Sequence, residues 1–288
     1  MFGIFDKISE WLHELLVEGV VTNIAGAIEM VKVETVSLTA DASKTPASFS
    51  PSIFSMIKSI SESVIMPIAG IILTIIACHE LIQLIIEHNN LANFDTWIFM
   101  KWIFKTFVAV TIITHTFDIT MAIFDVAHSV ISSAGGMIVS STGIDTASAE
   151  ALIQTVNAMS NGALIGLYLQ SGVVLITLFV LSRVIFVIIY ARMIEIYLMT
   201  SLAPIPLATF GNKEQSQIGQ NYLRSLAALA FQGFLIIVCV GIYAVLVQNL
   251  AFSTDISDSI WGIVGYTILL CFTLFRTGAL ARSVFSAH

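Results

Sequence analysis

From Gly162 to Tyr190 the chain runs through about eight helical turns with Arg183 as its single charged residue. A helix of that length rises about 43 Å, more than the ~30 Å of hydrocarbon in a bilayer. It is apolar nearly all round, and such a helix is buried in a large core or lies in lipid. Residues 64–86, 97–117, 225–249 and 259–281 have the same character. Composition decides between the two settings. The chain is 57% apolar and 11% charged, with a mean hydropathy of +0.93, which leaves too few polar side chains to coat a soluble domain. The sequence therefore predicts an all-α, polytopic transmembrane protein with about five spans.

The pattern between the spans divides the chain further. Residues 1–63 read as an extracytoplasmic tail. Within it Phe5, Ile8, Leu12, Leu15 and Gly19 recur opposite Asp6, Glu10, Glu14 and Glu18, which predicts a short amphipathic helix over 3–19. Its polar face is acidic, so a protein suits it better than anionic lipid. Thr39, Ser43, Thr45, Pro46, Ser48, Ser50 and Pro51 read as a linker. Residues 64–117 form a first transmembrane hairpin. Residues 118–161 form an extracytoplasmic loop, expected as an outer helical hairpin with Ile119, Ile123, Val126, Val130 and Ala134 as its first apolar stripe and a break at SSAGGMIVSSTG. A long transmembrane helix follows over 162–192, then an elbow over 193–224, then a C-terminal hairpin over 225–288. Pro204 and Pro206 remove backbone donors, so a helix continuous to Phe210 is not expected. Nothing in the first twenty residues resembles a signal peptide, and insertion is expected to rely on internal spans.

Cations set the orientation. With five spans, Lys101, Lys105, Arg183, Arg192, Lys213, Arg224, Arg276 and Arg282 all fall at cytoplasmic ends, and 118–161 and 250–258 hold none. A sixth span at 193–210 would split that set. The expectation is a multi-pass membrane protein, N-terminus outside and C-terminus inside, with the elbow cytoplasmic or re-entrant. Lys7, Lys32, Lys44 and Lys58 in the outer tail run against it, offset by eight acids.

The residues offer little chemistry. His79-Glu80 is followed by no histidine at metalloprotease spacing, and GxSxG, GxxxxGK[ST] and GxGxxG are absent. Cys78, Cys239 and Cys271 sit in apolar runs and read as buried hydrophobes. No enzyme activity, cofactor or metal is expected. The net charge of −7 excludes capture of nucleic acid by a basic face. What remains are polar groups inside spans. Glu80 and Glu87 on the first span lie within reach of Lys101 and Lys105 on the second, either neutralising one another for insertion or lining a conduit. Arg183 reads as snorkelling, and Arg192 and Glu195 as a helical ion pair at the inner interface; the alternative is an elbow, with Pro204 and Pro206, that contacts a cytoplasmic partner. Gly162 and Gly166 form one GxxxG, a helix-packing signal.

The run Arg192-Met193-Ile194-Glu195-Ile196-Tyr197, then LAPIPLATF over 202–210, Gly219-Gln220-Asn221-Tyr222-Leu223-Arg224 and Phe231-Gln232-Gly233, resembles the TrbL-like family of conjugative type IV secretion systems. This is the class of the sixth VirB protein, and the likeness is to compact members from mobile elements of Gram-positive bacteria. The resemblance implies a channel or scaffold subunit supporting transfer of DNA and protein, a homo-oligomer, by similarity a pentamer. Its partners would be membrane lipids, an extracytoplasmic stalk, motor ATPases and the translocating DNA. Relatives often carry a long soluble C-terminal domain, whose roles are not carried over. Two other readings stay open: a small-solute transporter, against which stands the lack of a second broken helix to match the elbow, and a purely structural membrane protein.

Overall fold

The structure, a computed structural model, describes residues 2–87, 96–139, 154–212, 215–250 and 256–287. All regular structure among them is helical: α1 (Phe2–Ser43), α2 (Pro46–Phe49), α3 (Pro51–Ile60), α4 (Met66–Glu87), α5 (Thr96–Thr114), α6 (Thr116–Val139), α7 (Asn161–Leu202), α8 (Pro204–Ala208), α9 (Ser216–Leu250) and α10 (Ile256–Val284). A π turn over Ser61–Ile65 joins α3 to α4, and a 3₁₀ turn over Thr209–Gly211 follows α8. Five stretches are long and apolar enough to cross a bilayer: Pro51–Ile86, Thr96–Thr114, Asn161–Gly211, Ser216–Asn249 and Ile256–Val284. The protein is an all-α polytopic membrane protein. It forms two compact units, the first from Met1–Ser43, Ser132–Ile189 and Phe234–Thr277, the second from Lys44–Ile131, Tyr190–Gly233 and Gly278–His288.

In the first unit α1 lies against α7. Three polar rungs join them: His13 Nδ1 with Asn161 Oδ1 at 2.7 Å, Asn23 Nδ2 donating to Ser171 Oγ at 3.0 Å, and Ser182 Oγ donating to Glu34 Oε2 at 2.5 Å. Each rung joins residues 148 apart in sequence. A constant offset means that the two helices advance together, so they run parallel and side by side for about 32 Å of helix. Asn161 Nδ2 also donates to Ser9 Oγ at 3.0 Å, closing the top of the seam. Apolar residues fill the spaces between rungs. Leu16, Val20, Ile24, Ala27, Val31, Thr35, Leu38 and Ala42 are all buried, at intervals of three and four. Gly19 allows close approach, because a Cβ there would stand 2.5 Å from Tyr168 Cε2.

Three expectations change here. The helix predicted over 3–19 continues to Ser43, and the threonines and serine read as linker are part of it. Thr35 and Thr39 donate to the carbonyls of Val31 and Thr35, one turn back, and Ser43 to that of Ala40, so their hydroxyls are satisfied inside the helix. The true break is short: Thr45 caps α2 by accepting from Ser48 N at 3.2 Å, and Pro46 and Pro51 start α2 and α3. The buried face of α1 is also rotated from the predicted one. Ile8 and Leu15 are exposed, and Leu16 and Val20 face the seam. In α6, likewise, Phe117, Thr120, Phe124, Ala127 and Ile131 are buried, while Val126 and Val130 of the predicted stripe are exposed. Within the predicted break α6 continues through Gly135 to Val139, where a Cβ on Gly135 would meet Thr39 Cγ2 at 3.1 Å. Residues 140–153, where the predicted outer hairpin turns and its second arm begins, lie outside the described residues.

In the second unit α4 and α5 lie antiparallel. Trp102 Nε1 donates to the Ala77 carbonyl at 3.2 Å, Lys105 pairs with Glu80, and Ala69, Leu73, Ala109 and Ile113 share a core with Ala208 of α8. On α3, Phe54 packs edge-on against Phe117 at 5.3 Å.

The α1–α7 seam gives a stability test. Gly19→Val should destabilise the purified protein by about 1–3 kcal/mol through overpacking on the Tyr168 ring. Adding Tyr168→Ala should recover most of the loss in a thermal melt; an additive double variant would place Gly19 away from α7.

Candidate functional site

The elbow is shorter than the predicted 193–224. Residues 193–202 complete α7, and α9 starts at Ser216, which leaves α8 and the 3₁₀ turn as the corner. Pro204 occupies the first turn of α8, where its missing N–H costs nothing. Thr209 then ties the corner together: its Oγ1 donates to the Pro206 carbonyl at 2.8 Å and accepts from Gly219 N at 3.2 Å. Gly219 is required by that approach. A Cβ there would lie 2.8 Å from the Pro206 carbonyl oxygen and 2.6 Å from Phe210 Cδ2. Tyr222 OH donates to the Met199 carbonyl at 3.0 Å, and Tyr197 OH to that of Pro46 at 2.7 Å, so both arms of the elbow and the start of α2 are pinned by buried phenols.

The corner sits on the α4–α5 hairpin. A Cβ on Gly211 would stand 3.3 Å from Ala109 Cβ and 3.8 Å from Leu73 Cδ1, and Ala208 enters the core with Ala69 and Ile113. These contacts lie at the first turns of α4 and the last turns of α5. They are at the end of the hairpin remote from its own connection, 88–95.

The charged residues singled out from the sequence separate. Glu80 and Lys105 form an ion pair across the hairpin, with side chains 20% and 36% exposed. A lone ionised residue in a span costs about 3 kcal/mol or more, so neutralisation by pairing is a sufficient reason for both. Lys101 does not join them: its Nζ lies 5.6 Å over the Trp97 ring. Glu87 ends α4, and its side chain lies outside the described residues. Arg183, in the first unit, is exposed with its guanidinium 5.0 Å over the Phe179 ring.

Arg192 and Glu195 do not form the predicted pair. Arg192 is 4% exposed and turns inward, donating from Nη2 to the Ala230 carbonyl of α9 at 3.3 Å, so it offers almost no surface to a cytoplasmic partner. Glu195 pairs with Arg282 of α10 instead. Both are substantially exposed, and such a pair contributes below about 1 kcal/mol. Phe231 and Phe285 pack with ring centroids 5.4 Å apart and planes tilted by 40°, and a Cβ on Gly278 would meet Gln232 Nε2 at 3.3 Å, which ties α9 to α10. Gly162 and Gly166 also differ from expectation: a Cβ on either meets nothing within 4 Å. Close approaches within the described chain are made instead by Gly19, Gly26, Gly135, Gly211, Gly219 and Gly278, at each of which a Cβ would stand 3.3 Å or less from a neighbouring side chain. Among the described residues no group of three or more His, Cys, Asp or Glu is placed to hold a metal.

A helical membrane protein whose polar groups serve helix contacts, with a proline elbow seated on a two-helix hairpin, is defined by its architecture and not by a reaction centre. Residues 31–204 match the family described as TrbL/VirB6 plasmid conjugal transfer like protein, and since that is more than half of the chain, the protein belongs to this family. The family is one of membrane components of conjugal transfer, a type IV secretion process, so other subunits of that apparatus are its partners in kind. No curated protein and no solved structure matches the chain.

The glycines make opposite predictions. Gly219→Ala should cost about 1–3 kcal/mol because the new methyl meets a backbone carbonyl. Gly162→Ala and Gly166→Ala should leave the thermal midpoint of the monomeric protein unchanged or raise it, since alanine is the better helix former by up to about 1 kcal/mol.

Proposed function

We propose that this protein is a cytoplasmic-membrane channel or scaffold subunit of a conjugative type IV secretion system, supporting passage of DNA and protein, and that it works as a homo-oligomer. The observation that carries the oligomer is the face of α1 turned away from α7. Helix α7 is the most apolar span, with Leu169, Val173, Ile176 and Val180 exposed in the manner of a lipid contact. Beside it α1 exposes Glu14, Glu18, Glu29 and Lys32. Charges at that position are not accommodated by lipid tails; they need water or protein. A second copy, with a conduit behind it, supplies both. The net acidity of the face repels phosphate at close range, which favours protein over DNA as its direct contact.

The same seam supports a topology. Helices that run parallel cross in the same sense, so α1 and α7 both pass from outside to inside, with the N-terminus out. The elbow and the C-terminus are then inside, together with Lys44, Lys58, Arg192, Arg224, Arg276 and Arg282. On this reading α4 starts and α5 ends on the inner side, in keeping with the elbow seated at that end of the hairpin, and α1 and α6 cross in addition to the five long apolar stretches. Lys101 and Lys105 are the exceptions to the charge rule. Glu80 neutralises Lys105, and Lys101 is held over Trp97. Exposed Arg224 and the Glu195–Arg282 pair become the surface available to a cytoplasmic motor ATPase, and the outer loop the surface available to a stalk.

Oligomerisation through α1 is testable in nanodiscs. Thr22→Cys and Ala25→Cys, on the exposed face, should give disulfide-linked dimers between copies, and native mass spectrometry should show one discrete multimer. Ile176→Cys, on the lipid face of α7, should not crosslink. A monomer by mass with no Thr22 crosslink would end the channel-wall reading.

A further inference from the structure

Between α1, α7, α9 and α10 in the first unit lies a cavity of about 10 Å³, lined by Glu34, Ser182, Tyr243 and Thr267 and otherwise by aliphatic side chains. It holds one water-sized occupant. Its four polar residues have their protons committed elsewhere. Ser182 Oγ donates to Glu34 Oε2 at 2.5 Å. Thr267 Oγ1 donates to the Ile263 carbonyl at 2.8 Å. Since the threonine proton is spent there, Tyr243 must be the donor in the 2.8 Å contact between Tyr243 OH and Thr267 Oγ1. What the four groups can present to the cavity is therefore lone pairs: three hydroxyl oxygens and a carboxylate. Among the described residues no lysine or arginine forms an ion pair with Glu34; Arg183 acts on it only from a distance.

We propose that this cavity is a binding site for a single sodium-sized monovalent cation, with the Glu34 carboxylate as the charged ligand and the hydroxyl oxygens of Ser182, Tyr243 and Thr267 around it. The class of ion follows from the chemistry. All-oxygen donors select a hard cation. One carboxylate balances one positive charge, whereas calcium sites draw on several acidic ligands and magnesium keeps a shell of waters for which the space is too small. The occupant supplies a positive charge in direct contact with a carboxylate that Arg183 reaches only from a distance. It would also bind four helices at one point, since each of α1, α7, α9 and α10 contributes an oxygen.

The ionisable groups that face Glu34 come from each of these helices. Lys32 on α1 is exposed and lines a separate cavity of about 200 Å³ with Thr35, Ala244 and Gln248; Val31 borders both cavities and so separates the ion site from that opening. Arg183 on α7 attracts the carboxylate from a distance, with its guanidinium over Phe179. Tyr243 on α9 and Cys271 on α10 are the others, the thiol directed to the Leu181 carbonyl at 4.0 Å.

The test uses the full chain in nanodiscs, melted in sodium chloride and in choline chloride at equal ionic strength and fixed pH. Sodium should raise the midpoint by about 2–4 °C, saturably, as a ligand of the folded state does. Glu34→Gln keeps the shape and the serine contact while removing the charge. It should fold, melt no lower than wild type in choline, and lose the sodium shift; Tyr243→Phe should weaken the shift without abolishing folding. Radioactive sodium binding at about one ion per chain, absent from Glu34→Gln, would be the direct counterpart. A wild-type midpoint equal in the two salts, one that responds to pH alone, or a Glu34→Gln variant that keeps the full sodium shift would each overturn the proposal and leave the cavity to water.

Discussion

The register of α1 on α7 is the constraint on which the rest depends. Neither helix reaches that arrangement through apolar contact alone, because α7 is apolar nearly all round and offers many equivalent faces. The polar rungs select one of them. Asn161, Ser171 and Ser182 lie on one stripe of α7, and satisfying them against His13, Asn23 and Glu34 fixes both the rotation and the offset of α1. Sliding α1 by one residue would break every rung at once. With α1 fixed in that register, its acids project from the first unit, and Glu34 is carried inward to the point where three hydroxyls meet.

The elbow supplies an independent constraint in the second unit. Its prolines end α7, its threonine and glycine close the corner, and small residues on both partners allow the corner to seat on the hairpin: Ala69 and Ala109 opposite Ala208 and Gly211. A bulky corner would hold the hairpin away. The seat falls at the first turns of α4 and the last turns of α5.

Hydropathy made the fold class legible, since long apolar runs leave a chain few alternatives. It also showed the end of α7 at the proline pair. Two kinds of feature were hidden. The first is the length of α1: Thr39 and Ser43 look like linker by composition, and only the spacing of Leu16 through Ala42 reveals the continuing stripe. The second is partner choice among charges. Arg192 and Glu195 have helical ion-pair spacing, yet Arg192 faces the buried interior between α7 and α9 and Glu195 finds Arg282, eighty-seven residues away in sequence. Local spacing cannot report a partner on another helix. The glycines teach the same lesson, for Gly19 and Gly219 are identified by what stands opposite them and Gly162 and Gly166 only by a pattern.

Membership of a conjugal transfer family and an α1 helix that belongs to the bundle join in one account: an oligomeric membrane subunit whose N-terminal helix crosses beside α7 and turns its charges toward other copies. Side-specific labelling tests that crossing most directly. Single cysteines at Ser9, Ser48 and Asn90, in a chain whose native cysteines are replaced, would be exposed on intact cells to a membrane-impermeant maleimide. The account predicts labelling at Ser9 and Asn90 and protection at Ser48 until the membrane is opened. Ser9 and Ser48 labelled from the same side would contradict it, because α1 would then not cross.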